Sequence, residues 1–464
     1  MLKERKKIDF EISKYSIYYP HRTKFPDLEF LIGDDTKGWR AERNLFKSLN
    51  HLEILKKKEK IAEKLGINNI KSEPELFEKN YSILESHYKK IITTDAAIEK
   101  IADNVGLSKN DVEFMLNEHF PIGHMEFHPS DICNLNCQGC TYGHGVKGLG
   151  PKKIVFPFEH LDKLKALKPK SILFSGGGEP TLYKYKNYNF GDVVEKIHEI
   201  MPKTLLALIT NGTFVPKGNW VSHLKWVRIS IDAATPETYM VFRGKNLFEK
   251  VTRNLLKYLN TSIPKVGGTF LYSKININEY VDFARYFYKK VKEEQPNNLC
   301  RLNLSYRPLR RNPNDKRKKF PGYITKEDIE KTVKKIIEFA NESIEVENFL
   351  REQTNIEAVT GGNLQPPMPF KRCYYSQIFH IVRANGDIRP CFVSVLEPDF
   401  VLGNIIKDSI SSISLNVLFI ATLSKKICNP EECKQSHCNY ILEQGLLDKF
   451  KPLKIPSVAE DPFF

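Results

Sequence analysis

No apolar run in the 464-residue chain approaches the roughly 18–20 residues that cross a bilayer, so the sequence predicts no membrane span. The opening stretch, MLKERKKIDFEISKYS, is basic but no apolar core follows it. It does not read as a secretory signal, and a cytoplasmic location is the default expectation. Acidic residues are also in short supply: 71 Lys and Arg stand against 56 Asp and Glu, a formal net charge of +15. Such an excess suits nucleic acid or another anionic partner. The chain, however, lacks the aromatic residues interleaved among basic ones that stack bases, and its basic runs (LKKKEK at 55–60, DKRKKF at 315–320) are lysine-rich stretches in helical or loop surroundings. Solvated surface lysines account for them, and nucleic-acid binding is not expected.

A complete disulfide scheme is excluded too, because the nine cysteines are an odd number. Clustered thiols without an export signal favour metal. Cys133, Cys137 and Cys140 fall within DICNLNCQGCTYGH; Cys300 stands alone; Cys373, Cys391, Cys428, Cys433 and Cys438 lie toward the C-terminus. Structural zinc wants four ligands, usually from paired knuckles. Three cysteines with no partner pair nearby fit it poorly, although His144 would supply a fourth ligand. A [4Fe–4S] cluster on three thiolates leaves one iron open to a small molecule.

Three textures divide the chain. Residues 1–120 are rich in Lys, Glu and Leu at helical spacing, a helical N-terminal domain. Within it TTDAAIEKIADNVGLSKNDVEFMLNEHF (93–120) predicts two short amphipathic helices, with Gly106 at a C-cap and Ser108 as N-cap. The pair resembles a helix-turn-helix, but helices paired only for packing are commoner. Residues 121–325 alternate the apolar runs HMEFHPS, SILFSGG, LLALITNG, WVRISID, VGGTFLYS and RLNLSYRP with helical stretches such as FEHLDKLKALK, GDVVEKIHEIM, LFEKVTRNLLKYL and NEYVDFARYFYKKV. Six β/α units predict a parallel sheet curled into a partly open barrel. Residues 326–464 begin with a helical stretch, pass through the Pro-rich LQPPMPF, and contain IFHIVRANGDIRPCF (378–392), which reads as a hairpin turning at Asn385-Gly386.

The C-x3-C-x2-C spacing of CNLNCQGC, following the first strand, resembles the radical S-adenosylmethionine (radical SAM) enzymes. SGGGEPTL (175–182), TNG (210–212), SIDAATPETY (230–239) and FRG (242–244) follow in the family's order at successive strand ends, where a parallel α/β fold builds its site. One departure is local: Gly139 stands where an aromatic is common, and Tyr142 is two residues beyond the third cysteine. The resemblance implies an α/β fold containing a partial (β/α)6 barrel of radical SAM type. It implies a [4Fe–4S] cluster on Cys133, Cys137 and Cys140, with SAM on the open iron. Tyr142, Gly176, Gly177, Gly178, Glu179, Asn211, Ser230 and Arg243 are the implied SAM contacts. Glu179 would face the SAM amino group, Ser230 the ribose and Arg243 the methionyl carboxylate. Asp232 is structural or substrate-facing, and is the candidate catalytic residue.

The spacing Cys373…Gly386…Cys391 likewise resembles the C-x(9–15)-G-x4-C signature of the SPASM and twitch subfamilies, which carry auxiliary [4Fe–4S] clusters in a small C-terminal domain. Five C-terminal cysteines suffice for one such cluster, on Cys373, Cys391 and two of Cys428, Cys433 and Cys438. The remaining thiol would be a hydrogen-atom donor or inert, and Cys300 a buried structural thiol. The implied activity is reductive cleavage of SAM to a 5′-deoxyadenosyl radical that abstracts hydrogen from a substrate carbon. An external donor of flavodoxin or ferredoxin type would supply the electron. The substrate would be a peptide or protein undergoing epimerisation, cross-linking or oxidation, or else a small metabolite such as a sugar or aminoglycoside. A nucleic-acid-binding protein with structural clusters is the reading from another class.

Overall fold

The computed structural model describes residues 53–118, 122–138, 140, 142, 153–215, 217–309, 322–361, 375–391, 395 and 400–426. Cys373, Cys428, Cys433 and Cys438 lie outside the described residues, as do Gly139 and His144.

The first helices are α1 (53–64), α2 (Pro74–Tyr88), α3 (Thr94–Val105) and α4 (Lys109–Glu118). The predicted caps form. Thr93 opens α3 by accepting from Ala96 N, and Gly106 closes it in the left-handed region at φ 66°. Ser108 Oγ accepts from Asp111 N at 3.1 Å. α4 buries Val112 and Leu116. These helices do not stand apart. Tyr81 and Tyr88 of α2 pack their rings against Phe419 of the last described helix, α11 (Ile410–Lys426, numbered after those below). Ser414 of that helix donates to Leu116 O at 2.7 Å. The helix pair is therefore used for packing.

All six predicted runs form parallel neighbours in one sheet: β1 (His124–Phe127), β2 (Ser171–Phe174), β3 (Leu205–Thr210), β4 (Leu224–Ser230), β5 (Lys265–Tyr272) and β6 (Leu302–Pro308). The strands alternate. Met125, Phe127, Ile172, Phe174, Val227 and Ile229 are buried in the core, whereas Glu126, Leu173, Arg228 and Ser230 are half-buried on the opposite face. Crossovers are made by α5 (Phe190–Ile200), α6 (Pro236–Arg243) with α7 (Phe248–Leu259), and α8 (Tyr280–Glu294); α9 (Lys326–Ala340) and α10 (Ile344–Gln353) follow β6. FEHLDKLKALK differs from expectation: Phe158–Leu167 is a 3₁₀ helix. Its buried residues Leu161, Leu164 and Leu167 recur every third position, the repeat of a helix with three residues per turn.

The barrel is not closed. Its open edge at β1 is covered by strands from far along the chain: β7 (Phe379–Val382), β8 (Asp387–Arg389) and β9 (Gly403–Asn404) continue the sheet in the order β9-β8-β7-β1-β2-β3-β4-β5-β6. β7 runs parallel to β1, with His124 opposite Phe379 and Phe127 opposite Val382. An uncovered strand edge offers unpaired N–H and C=O groups to other chains, so covering it has a physical reason. The predicted hairpin joins β7 to antiparallel β8, and Gly386 alone carries the turn's positive φ, 88°.

α1 is tied to this hairpin. The Lys58 side chain is buried and its Nζ donates to Gln377 O, just ahead of β7. Burial pushes the Lys58 ammonium down from 10.5 to about 7. The unfolded chain keeps that proton up to the ordinary lysine pKa, so stability rises with pH from about 7 to about 10.4, at up to roughly 1.4 kcal/mol per unit. Denaturant unfolding at pH 7.5 and pH 9 should show wild type gaining about 2 kcal/mol more over this interval than Lys58→Met. Equal gains would show that Lys58 is not desolvated in the folded chain.

Candidate active site

The three thiols of the first cluster of cysteines lie on the loop after β1, all half-buried and none in a disulfide. The described residues of the loop have almost no secondary structure of their own, and they are held by the backbone of the loop after β2 and by that of the end of α6. Ile132 O accepts from Glu179 N at 2.8 Å, joining it to the loop after β2. Asn136 N and Gln138 N donate to Arg243 O and Phe242 O at 3.2 and 2.9 Å, joining it to the end of α6. Both approaches require glycine. A Cβ on Gly178 would sit 2.4 Å from Ile132 O, and one on Gly177 2.0 Å from Asp131 Oδ1. A Cβ on Gly244, whose φ is 78°, would sit 2.6 Å from Asn136 O. In SGGGEP, then, Gly177 and Gly178 bring backbone against the cysteine loop. Gly176 is roomier, its nearest such contact being 3.3 Å.

Glu179 is buried, and its carboxylate gathers four donors. Oε1 accepts from Thr181 N, Thr181 Oγ1 and Thr210 Oγ1 at 3.1, 2.6 and 2.5 Å, and Oε2 from Asn211 N at 2.6 Å. Burial raises its pKa, opposed by these hydrogen bonds. The side chain thus locks the end of β2 to the end of β3. Asn211 extends the lock to the cysteines: its Nδ2 donates to Asn134 Oδ1 at 2.8 Å, and Asn134 Nδ2 donates to Thr213 Oγ1 at 2.9 Å. Thr181, Thr210, Thr213 and Asn134 were not singled out from sequence. The available signals were that Thr181 and Thr210 lie within SGGGEPTL and TNG, and that Asn134 sits between two cysteines.

Asp232 and Arg243 form the second fixed point. Asp232 follows the end of β4 at φ 65° and is fully buried. Its Oδ1 accepts from Leu271 N at 2.8 Å and its Oδ2 pairs with Arg243 Nη2. Arg243, also buried, donates from Nη1 to Cys137 Sγ at 3.4 Å and from Nε to Ile231 O at 3.4 Å. Burial alone would depress the guanidinium; Asp232, then Cys137, hold it above its ordinary range. Burial pushes the Cys133 thiol up to about 12. Ser230 ends β4, half-buried, opposite Thr269 of β5.

Tyr142 lies over the β1–β7 side. Its ring meets His128 edge-on at 5.6 Å, with the Arg383 guanidinium 5.9 Å from its centre. His128 Nε2 is 2.8 Å from Glu126 Oε1, and Arg383 Nη2 is 3.4 Å from Asp131 Oδ2. Cys391, half-buried, follows β8. Because Arg389 pairs with Ile381 and β8 runs back, residue 391 falls toward the start of β7, the opposite end of the sheet from the Cys133 loop. Cys300 corrects an expectation: it is exposed, in a 3₁₀ segment (Pro296–Arg301) that buries none of its residues. Among the described residues no three His, Cys, Asp or Glu side chains are gathered so as to hold a single metal ion.

The Radical SAM superfamily model matches residues 127–287. The matched segment contains the cysteine loop, Glu179, Asn211, Asp232 and Arg243. Among curated proteins, the chain is 31% identical over 132 residues to the GTP 3',8-cyclase of Alkaliphilus oremlandii, covering 27% of this chain and 40% of that protein. It is 26% identical over 163 residues to the GTP 3',8-cyclase of a Sulfurovum species, covering 34% and 48%. The chain thus spans less than half the length of these relatives. Among solved structures, native anSMEcpe with bound AdoMet is 23% identical with a TM-score of 0.46, over 66% of this chain and 84% of that one. Streptococcus suis SuiB bound to S-adenosylmethionine is 16% identical with a TM-score of 0.43, over 71% and 74%.

The glycine contacts separate two neighbouring substitutions. Gly178→Ala should lower stability by at least about 1–3 kcal/mol, the range for forced overpacking, while Gly176→Ala should cost clearly less. Thermal melting of both variants checks this, and equal melting temperatures would contradict the packing described here.

Proposed function

We propose that this chain is a radical SAM enzyme with a [4Fe–4S] cluster on Cys133, Cys137 and Cys140. The observation that carries the reading is three half-buried, unbridged thiols on one loop that is pinned by the ends of β2, β3 and α6. Thiolate sulfur is the donor iron–sulfur clusters take, and these residues fit that group. When bound, the cluster and SAM together supply a 5′-deoxyadenosyl radical able to take hydrogen from a substrate carbon. The chain's residues bind and orient. Gly176, Gly177 and Gly178 bring main chain to the site, and Glu179, with its oxygens already engaged, contributes negative charge toward the SAM amino group. Asn211, Ser230 and Tyr142 line the remaining SAM contacts. Arg243 is the candidate for the methionyl carboxylate, and Asp232 holds Arg243.

A twitch-like auxiliary [4Fe–4S] cluster on Cys391, Cys373 and two of Cys428, Cys433 and Cys438 belongs to the same reading. The β7–β8 hairpin supports it, since the returning strand brings residue 391 toward the segment that leads into β7. The organisation is proposed as a helical region (1–120), a partial barrel (121–325) and an auxiliary-cluster region (326–464). The substrate proposed is a peptide or protein, for which the net charge of +15 offers an anionic partner a favourable surface. The electron would come from a flavodoxin- or ferredoxin-type donor. One observation favours a small-molecule substrate instead: the curated relatives matched over 132 and 163 residues are named for GTP. Among the described residues no helix is long and apolar enough to cross a membrane.

Anaerobic incubation with SAM and a strong reductant should release 5′-deoxyadenosine. Replacing Cys133, Cys137 and Cys140 together by Ala should abolish that release while leaving the iron of the auxiliary cluster, about half the wild-type content. Cleavage that survives in this variant refutes the assignment.

A further inference from the structure

Each nitrogen of the Arg243 guanidinium meets a group of the protein itself. One edge pairs with buried Asp232, Nε reaches Ile231 O at 3.4 Å, and Nη1 donates to Cys137 Sγ at 3.4 Å. The backbone repeats the connection. Arg243 is the last residue of α6, its carbonyl accepts from Asn136 N at 3.2 Å, and Gly244 turns left-handed immediately after it. Main chain and side chain of one residue therefore hold the same cysteine loop. A helix C-terminus favours a cation there, and Asp232, locked to Leu271 N, keeps the fork aimed.

Resting on the radical SAM reading, we propose that Arg243 acts through Cys137: its N–H···S hydrogen bond raises the reduction potential of the cluster held by that loop. Adding an electron to a cluster increases negative charge on its sulfurs, so a donor at a ligating sulfur stabilises the reduced form, and such bonds are a known lever on potential. Arg243 and Asp232 together are neutral, so the effect lies in the donor's contact with sulfur. Arg243 is a positioning and tuning residue in this role, distinct from a ligand that only meets SAM.

The test is a redox titration of the anaerobically reconstituted full chain without SAM, followed by electron paramagnetic resonance. The relevant signal is the one that disappears in Cys133→Ala. Arg243→Met should shift its midpoint to more negative potential, with the reduced-to-oxidised ratio about tenfold lower at a fixed potential, ~59 mV for a one-electron couple. Arg243→Lys, which keeps a charged donor, should stay closer to wild type. Because Arg243→Met strands the Asp232 charge in the core, the Asp232→Asn/Arg243→Met double variant is titrated too, and the same negative shift is expected. Unchanged midpoints in both Met variants, with only SAM binding weakened, overturn the proposal and leave Arg243 as a ligand of the SAM carboxylate. A wild-type chain that assembles no cluster on these cysteines overturns the functional reading itself.

Discussion

A desolvated carboxylate organises the strand ends that face the cysteines. Glu179 could not remain charged in its buried position without the donors of Thr181, Thr210 and Asn211. Those donors come from the ends of β2 and β3, so satisfying one side chain sets the separation of two strand ends. Asn211 then passes the constraint to Asn134, inside the C-x3-C spacing. A loop that carries three candidate ligands thereby acquires a defined position, with no helix or strand among its described residues. Pre-setting ligands through outer hydrogen bonds is how metal sites are commonly oriented.

The opposite side of the loop rests on a buried ion pair. A lone buried charge is costly, and a pair is tolerated only where geometry and extra hydrogen bonds compensate for lost water. Asp232 and Arg243 meet that condition through Leu271 N, Ile231 O and Cys137 Sγ. Asp232 also adopts a left-handed backbone, which a non-glycine residue adopts only sparingly. Both features converge on a thiol, which argues that the polar core here serves the loop rather than the sheet.

Much of this was legible in the sequence, and the exceptions share a cause. The six parallel strands follow from apolar runs such as SILF and LLALIT separated by amphipathic helices, a local pattern. The strand-end motifs were legible because cysteine spacing and Gly-Gly-Gly-Glu-Pro are rare combinations. Pairing of β7 with β1 was not legible, because nothing local in FHIV says which edge it will cover. Asn134 and Thr213 were missed for the same reason: short polar residues are common in loops, and their partners lie far away in the chain. Gly177 and Gly178 were legible as close-approach positions, but what they approach, the Asp131 side chain and the backbone of Asp131 and Ile132, is a tertiary fact. Cys300 was misread because it stands just ahead of an apolar strand, yet it lies in a short 3₁₀ segment that buries none of its residues. The segment 158–167 read as an α-helix because its leucine spacing of three also satisfies helical periodicity.

The pairing of β1 with β7 also bears on how the protein comes to be made. His124 must wait for Phe379. Domains fold as the chain emerges, N-terminal parts first, and strand pairings distant in sequence form slowly. Throughout synthesis of the intervening segment, the outer edge of β1 has no native neighbour, and the cysteine loop begins directly after it. A chain stalled before residue 379 would leave an open edge beside the three thiols of the cysteine loop. The order of assembly thus delays completion of the sheet, and with it closure of that edge, until residues 379–382 have been made.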